Sequence, residues 1–481
     1  MRGIRRVLPP LLLLLPLTGA AEITLPPLSS PLSTSWTGLL CLGIFTTALL
    51  LVILEEFIDL RKSKPMTIAA GLIWALIAWS EGQVGYPYVA ETAVRESLLQ
   101  SAELILLMLV VMTYTSAMTE RRVFAALRGW ILRRALNYHQ MFWLIGATSF
   151  LISPLLDNLA TTVLMGAVVI AVGRENAKFV ALGCVHIVVA ANSGGAFSPF
   201  GDITTLMVWQ QNITTSTGDL WFGAFFSLLL PALAAYLIPA MALSLALPAG
   251  RPAAIQAHDP MLRGARRIIA LFVATIITAV AFRTMLELPA VIGMLTGLSY
   301  LQIFGFYLKR THPSLSAGEA DLEALSLPAP LDSRRPFDIF VRISRIEWDT
   351  LLFLYGVGLA VGGLNYLGYL SIASELIYSH WGATAANILV GLFSAVLENV
   401  PTMYAVLFMD PQMSQGQWLL VTLTTGIGGS ILSIGSAAGI ALMGQARGVY
   451  TFFTHLRWTP VILLGYAAAV ALHLWLNSAR F

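Results

Sequence analysis

Long apolar segments recur along the whole of this 481-residue chain and constrain its fold more than any other feature. The unbroken ones lie near residues 36–57, 66–80, 98–118, 220–247, 266–285, 288–307, 348–367 and 458–476. Charged residues make up only 11% of the chain, against about 25% in soluble proteins. A soluble fold has no way to cover so much apolar surface. The sequence therefore predicts an all-α polytopic membrane protein.

Four further apolar segments are interrupted by short polar stretches. They cover residues 139–173, 176–210, 384–409 and 418–443. Irregular backbone inside a bilayer is tolerated only where protein encloses it or where it lines a water-filled cavity. We therefore expect 139–173 and 384–409 to form re-entrant hairpins, and the other two segments to form discontinuous helices. All four breaks are expected to meet at mid-membrane.

The two halves of the chain resemble each other in the same order. Leu156-Asp157-Asn158 is similar to Leu397-Glu398-Asn399, and Gly194-Gly195 is similar to Gly428-Gly429. We interpret this as an inverted repeat with five spans and one hairpin in each unit, which is typical of secondary transporters. The predicted units are a first repeat at 36–247, a cytoplasmic linker at 248–265 and a second repeat at 266–476, which contains a loop at 309–347.

The basic residues predict how the chain is oriented. Residues 1–21 contain arginines, an apolar run too short to span a bilayer and then small residues, as in a signal peptide. Most other lysines and arginines fall in loops on one side of the predicted topology, including 309–347, and this side should be cytoplasmic. The mature N-terminus and the C-terminus are then periplasmic, in a bacterial inner membrane.

The polar breaks contain acidic, amide and hydroxyl side chains but no lysine or arginine. Asp157, Asp202 and Glu398 lie in the breaks, and Glu103 and Asp349 lie at matching span starts. Acids inside a membrane are costly and usually face a cavity. Oxygen donors of these three kinds suit a small hard cation. A proton competes with that cation for a carboxylate, so alternating access would produce exchange. Taken alone, the hydroxyl side chains also fit a simpler role, which is hydrogen bonding between helices.

Two stretches carry a family resemblance. Residues 152–162 (ISPLLDNLATT) and 192–207 (NSGGAFSPFGDITTLM) resemble the NhaD-type sodium/proton antiporters of the ion transporter superfamily, and the likeness covers nearly the whole mature chain. It implies exchange of Na+ or Li+ for H+ at alkaline pH, with no cofactor, no structural metal and no enzymatic activity. Glu398 stands where an aspartate is expected, and Pro401 interrupts the hairpin tip.

The candidate cation- and proton-binding residues combine the acids in the breaks with the positions that the resemblance implies. They are Asp157, Asn158, Asn192, Asp202, Thr204, Thr205, Ser394, Glu398, Asn399, Ser433 and Ser436, with Glu103, Asp349 and His186 as secondary candidates. His186 lies in the middle of a span, where an imidazole either tunes a pH response or simply packs.

Two other functions stay open at this point. A carboxylate or oxyanion carrier of the same superfamily would need basic side chains near its substrate, which the breaks lack. An intramembrane aspartyl protease would use Asp157 and Asp202 as a dyad, but it leaves the repeat unexplained. The expected partners are Na+, Li+, H+ and the lipid bilayer, and a homodimer is compatible with the sequence. A net charge of +3 offers no surface suited to nucleic acid.

The predicted orientation can be tested by cysteine labelling. We expect a cysteine placed within 309–347 to react with a membrane-impermeant maleimide in inside-out vesicles and not in spheroplasts, because the basic loops should face the cytoplasm. The native Cys41 and Cys184 lie inside apolar segments and should contribute little background. Labelling of the loop in spheroplasts would contradict the orientation.

Overall fold

A computed structural model describes residues 32–84, 87–134, 136–253, 260–311 and 339–481. The predicted signal peptide and most of the 309–347 loop lie outside these residues. Most of the described chain is helical, and its two strands, Thr214–Thr215 and Gly218–Asp219, pair as one short antiparallel hairpin.

The helices follow the order of the predicted segments. In the first half they are α1 Trp36–Ile53, α2 Glu55–Ile58, α3 Ser63–Val84, α4 Pro87–Glu120, α5 Val123–Leu132, α6 Tyr138–Leu156, α7 Asn158–Val172, α8 Ala177–Gly195, α9 Ile203–Gln210 and α10 Leu229–Leu245. In the second half they are α11 Ala265–Met285, α12 Ala290–Arg310, α13 Ile339–Ser344, α14 Trp348–Tyr366, α15 Tyr369–Ser374, α16 His380–Leu397, α17 Asn399–Met409, α18 Gln415–Gly428, α19 Ala437–Gln445, α20 Phe452–Leu456 and α21 Thr459–Leu476. Short 3-10 or π helices lie at Leu32–Thr34, Phe222–Leu228, Glu375–Ser379 and Ser478–Arg480.

Within the described residues, nine helical segments are long and apolar enough to cross a membrane. They are Trp36–Ile53, Val89–Glu120, Tyr138–Leu156, Ala177–Gly195, Phe222–Leu245, Ala265–Met285, Ala290–Arg310, Tyr369–Leu397 and Thr459–Leu476. The chain is therefore an all-α multi-pass membrane protein, and the predicted fold class is confirmed. The division into inverted units of five spans and one hairpin stays a prediction.

Glycines in α14 bring two helices of the first half close to the second half. A Cβ atom on Gly356 would lie 2.7 Å from the backbone of Met66 in α3, and one on Gly362 would lie 3.0 Å from the Cβ of Ser97 in α4. Small residues allow this close approach inside a membrane, where van der Waals contact rather than water exclusion holds helices together. Helix α14 is thus fixed against α3 and α4.

Each predicted hairpin packs in the same way in its half. Helices α6 and α7 both contact the discontinuous helix α8, and α16 and α17 both contact α18. The second arm of each hairpin also crosses to the other half: α7 packs on α19, and α17 packs on α9. These crossed contacts bring the four breaks to one region of the molecule.

One glycine in each half sets the distance between the first hairpin arm and the discontinuous helix. A Cβ on Gly194 in α8 would overlap the carbonyl oxygen of Phe150 in α6. A Cβ on Gly428 in α18 would overlap the carbonyl oxygen of Gly391 in α16. Because both obstructions are backbone atoms, a larger residue is accommodated only if a helix shifts.

We therefore expect Gly194→Ala and Gly428→Ala to lower the free energy of unfolding by about 1–3 kcal/mol. Gly71→Ala and Gly444→Ala are matched controls, since a Cβ there meets nothing within 4 Å. Alanine at these two helical positions should leave stability unchanged or raise it by about 0.5–1 kcal/mol. Thermal unfolding in detergent measures the difference, and equal melting temperatures for all four variants would contradict it.

Candidate functional site

The two hairpins break at residues with the same unusual backbone conformation. Asp157 follows α6 with φ 62° and ψ 162°, and Glu398 follows α16 with φ 65° and ψ 153°. Positive φ is uncommon for residues with a side chain, so both helices end abruptly at these positions. The next residue begins a new helix in each case, Asn158 in α7 and Asn399 in α17.

The two discontinuous helices also restart alike. Asp202 precedes α9 with φ −140° and ψ 146°, and Ser436 precedes α19 with φ −144° and ψ 149°. The Ser436 hydroxyl accepts the Gly439 N–H at 3.4 Å, within the first turn of α19. Each break places the carbonyl end of one helix beside the polar residue that starts the next. Helix C-termini carry partial negative charge and N-termini partial positive charge, so the acidic side chains at the breaks, rather than the helix ends, favour a cation.

A cavity of about 600 Å³ connects the four breaks. The candidate residues in its lining are Asp157, Asn158, Asp202, Glu398, Asn399 and Ser436. The lining continues past Met108 and Thr115 in α4 to Arg342 in α13 and to Glu347. The cavity therefore extends from the breaks to α13 and to residues 345–347.

Hydrogen bonds link the two halves across the breaks. The Asn158 amide donates to Asn192 Oδ1 at 3.0 Å, and the Asn192 amide donates to the Ser436 hydroxyl at 3.1 Å. In the other direction, the Asn399 amide donates to Asp202 Oδ2 at 3.4 Å. Asn192 is fully buried and does not line the cavity, but it is hydrogen-bonded to Asn158 and Ser436, which do. Amides thus link the two halves through two sets of hydrogen bonds, one that ends at the Ser436 hydroxyl and one at the Asp202 carboxylate.

Several buried oxygens around this network have no hydrogen-bond partner within the described residues. They are the hydroxyls of Thr161, Thr162, Ser193, Thr205 and Ser433 and the Oδ1 atom of Asn399. Thr204 is equally buried beside Asp202. A buried oxygen without a partner costs about 1–3 kcal/mol unless a ligand or water satisfies it. Such a concentration of hard donors is suited to a desolvated small cation.

Eight of the predicted candidates do not line the cavity: Asn192, Thr204, Thr205, Ser394, Ser433, Glu103, Asp349 and His186. Ser394 donates to the carbonyl oxygens of Gly391 at 2.9 Å and Thr425 at 3.1 Å, which is the helix-to-helix bonding considered above. The His186 ring stacks on Phe142 with centroids 3.6 Å apart.

The two acids at the span starts have their own partners. Glu103 accepts the Gln210 amide at 3.1 Å, and Asp349 accepts the hydroxyl of Ser63. Neither acid contributes to the lining of the cavity. Of the five predicted acids, Asp157, Asp202 and Glu398 therefore line the cavity, and Glu103 and Asp349 do not.

The cavity also contains a lysine that the sequence analysis missed. Lys62 Nζ lies 2.6 Å from Glu398 Oε1, and the two side chains are each only 11% exposed. In the sequence, Lys62 stands between Arg61 and Lys64 in a basic loop, and no local signal separates it from them. Farther along the lining, Arg342 Nε lies 2.9 Å from Glu120 Oε2.

Comparison with known proteins adds independent evidence. The family described as "Citrate transporter" matches residues 32–426. The chain is 54% identical over 451 residues to a Na(+)/H(+) antiporter NhaD of Vibrio cholerae, covering 93% of each protein. It is 49% identical to a protein of the same name from Halomonas elongata, covering 98% of this chain and 94% of the relative. A more distant relative is sodium/proton antiporter 1 of Arabidopsis thaliana, which is 27% identical over 89% of this chain and 71% of the plant protein.

The two kinds of buried serine should respond differently to substitution. Ser394→Ala removes a hydroxyl that donates to backbone carbonyls, so we expect it to lower the free energy of unfolding by about 1 kcal/mol. Ser433→Ala removes a buried hydroxyl without a partner in the described chain, so stability should stay the same or rise. Thermal unfolding in detergent compares them, and equal losses would contradict the distinction.

Proposed function

Because the chain belongs to the family of the NhaD Na+/H+ antiporters, within the wider family described as citrate transporters, we propose that it exchanges Na+ for H+ across a membrane. The observation that carries the proposal is the convergence of Asp157, Asp202 and Glu398, from breaks in both halves, in one cavity. Relatives with transporter names give no support to the protease hypothesis, and the chain is a transporter rather than an enzyme.

Asp157 and Asp202 supply the negative charge for the exchange. Neither forms an ion pair with a lysine or arginine among the described residues, although both line the same cavity. A cation entering the cavity meets these carboxylates and Asn399, whose Oδ1 atom has no partner within the described residues. We propose that the buried, unpartnered hydroxyls of Thr205 and Ser433, three residues along the chain from Asp202 and Ser436, complete the shell of the bound cation. Protons bind the same carboxylate oxygens, so Na+ and H+ exclude each other.

Alternating access turns this competition into transport. The cavity extends from the carboxylates to Arg342, Arg345 and Glu347, which belong to the predicted cytoplasmic side. Na+ from that side displaces protons from Asp157 and Asp202. After the hairpins and discontinuous helices rearrange, protons from the opposite side displace Na+. The second arm of each hairpin packs on the restarted helix of the other half. A movement of one half relative to the other would therefore displace the residues at the breaks.

The finer features of the proposal follow from the sequence. We propose that Li+ is accepted in place of Na+, that residues 1–21 are a signal peptide, and that the protein works in a bacterial inner membrane with both mature termini periplasmic. Its physiological role would be pH and sodium homeostasis. Residues 36–247 and 266–476 would form inverted repeats, and a homodimer is a compatible assembly.

The carboxylate carrier is the alternative that the family description supports. Basic residues do line the cavity, including Lys62, Arg342 and Arg345. However, Lys62 is paired with Glu398 and Arg342 with Glu120, so neither charge is free to bind an anion. The acids and the unpartnered hydroxyls near the breaks favour a cation instead.

The decisive experiment uses the purified protein in liposomes that carry a proton gradient. We expect Na+ or Li+ to dissipate the gradient, measured with a pH-sensitive dye, and citrate or succinate to have little effect. A response to a dicarboxylate in the absence of Na+/H+ exchange would contradict the antiporter proposal and favour the carrier.

Substitutions of the carboxylates test the same proposal at the level of residues. Asp157→Asn and Asp202→Asn should abolish exchange, because asparagine keeps an oxygen but loses the charge and the titratable proton. Asp219→Asn is the matched control, since Asp219 is exposed in the short β-hairpin. Full exchange by both site variants, at protein levels equal to the control, would mean that the cation and the proton bind elsewhere.

Milder changes should give graded effects in the same assay. Glu398→Asp keeps the charge and shortens the side chain by one methylene, so apparent affinity should change more than maximal rate. Thr205→Ala and Ser433→Ala each remove one neutral oxygen, and we expect a loss of about 1–3 kcal/mol, or roughly five- to 150-fold in affinity.

A further inference from the structure

Lys62 and Glu398 form a buried ion pair at the edge of the candidate site. Lys62 Nζ lies 2.6 Å from Glu398 Oε1 and 4.5 Å from the ring centroid of Phe353. The backbone N–H of Lys62 donates to Glu55 Oε1 at 3.3 Å. Backbone and side chain are therefore both held, and the ammonium stays in the cavity that Asp157 and Asp202 also line.

Glu398 holds in the second half the position that Asp157 holds in the first. Both follow the first arm of a hairpin, both have φ near 60° and ψ near 160°, and both precede an asparagine that starts the second arm. Both second arms pack on the helix that follows the break in the other half. A cation that suits one of these carboxylates should therefore suit the other.

The surroundings of the two carboxylates differ in charge. Asp157 accepts the Ala160 N–H at 2.7 Å and has no basic partner among the described residues. Glu398 accepts no N–H of its helix, and its longer side chain contacts the Lys62 ammonium. The matching break residues differ as well, because the first half has Asp202 where the second has Ser436. The first half therefore presents two carboxylates without a counter-ion, and the second presents one carboxylate with a counter-ion.

We propose that the Lys62 ammonium is a resident cation. It occupies a position beside Glu398 that is equivalent to the position where transported Na+ binds beside Asp157 and Asp202. The protein then binds one Na+ rather than two. This inference rests on the proposed Na+/H+ exchange and deepens it, since it assigns Lys62 a role in setting how many cations the site takes.

The chemistry of the two cations supports the substitution. A lysine ammonium is a compact point charge with the same charge as Na+. Because it is tethered, its effective concentration beside Glu398 is in the millimolar range or higher. An unpaired Glu398 would be an uncompensated buried charge that recruits a cation from solution. Because Lys62 neutralises Glu398, no second cation is attracted there. Asp157 and Asp202 in the first half stay available to Na+.

The test counts bound Na+ on the purified full-length protein, using ²²Na+ at saturating concentration. We expect roughly one Na+ per unaltered chain and roughly two per chain in Lys62→Gln, because the amide lacks the charge that occupies Glu398. Lys62→Arg keeps a positive charge and should stay at roughly one. Arg95→Gln is the matched control, since it breaks an exposed pair with Glu91 and should also stay at roughly one.

A purely structural ion pair gives a different result. It predicts roughly one Na+ in correctly folded Lys62→Gln, and that count would overturn the inference while leaving the proposed exchange intact. If Lys62→Gln does not fold, Lys62→Met replaces it, since it removes the ammonium but keeps an apolar stem beside Phe353. Roughly two Na+ per chain in Lys62→Met supports the inference, and roughly one overturns it. An unaltered chain that binds no Na+ would contradict the proposed function and the inference together.

Discussion

A bilayer supplies no water to the ends of a broken helix, and the rest of the structure depends on this constraint. Four helices of this chain end inside apolar segments, at Leu156, Gly195, Leu397 and Gly428. Their polar ends are tolerated only where protein or a cavity encloses them. The hairpin arms provide the enclosure, because both arms pack on the discontinuous helix of their own half and the second arm also packs on the restarted helix of the other half.

Similar backbones in the two halves carry dissimilar charges. Asp157 and Glu398 have the same φ and ψ, yet one caps its own helix and the other pairs with Lys62. Asp202 and Ser436 likewise share a backbone conformation but differ by a full negative charge. A duplicated backbone therefore supplies the shape of the site, while the side chains concentrate unpaired negative charge in the first half. On the proposed function, that asymmetry directs a cation to Asp157 and Asp202 rather than to Glu398.

Sequence patterns were sufficient for the helical membrane fold and for the positions of its polar breaks. Apolar runs predicted the helices, and the polar interruptions predicted where Asp157, Asp202 and Glu398 would lie, because hydrocarbon penalises both features wherever they occur. The patterns were less informative about neutral residues. Ser394 and Ser433 are both fully buried serines. The Ser394 hydroxyl has the carbonyl oxygen of Thr425 within reach, whereas the Ser433 hydroxyl has no partner within the described residues.

The sequence by itself determined that the chain spans a membrane, where its helices break and which acids stand at the breaks, since these follow from local hydropathy and backbone chemistry. Tertiary structure alone decided which groups meet. Lys62 is 336 residues from Glu398, and in the sequence it is one basic loop residue among several. It becomes part of the site only because α3 and α14 pack closely enough to place it beside the second hairpin. Charge neutralisation depends on distances of a few ångströms in space, and a linear pattern carries no record of them.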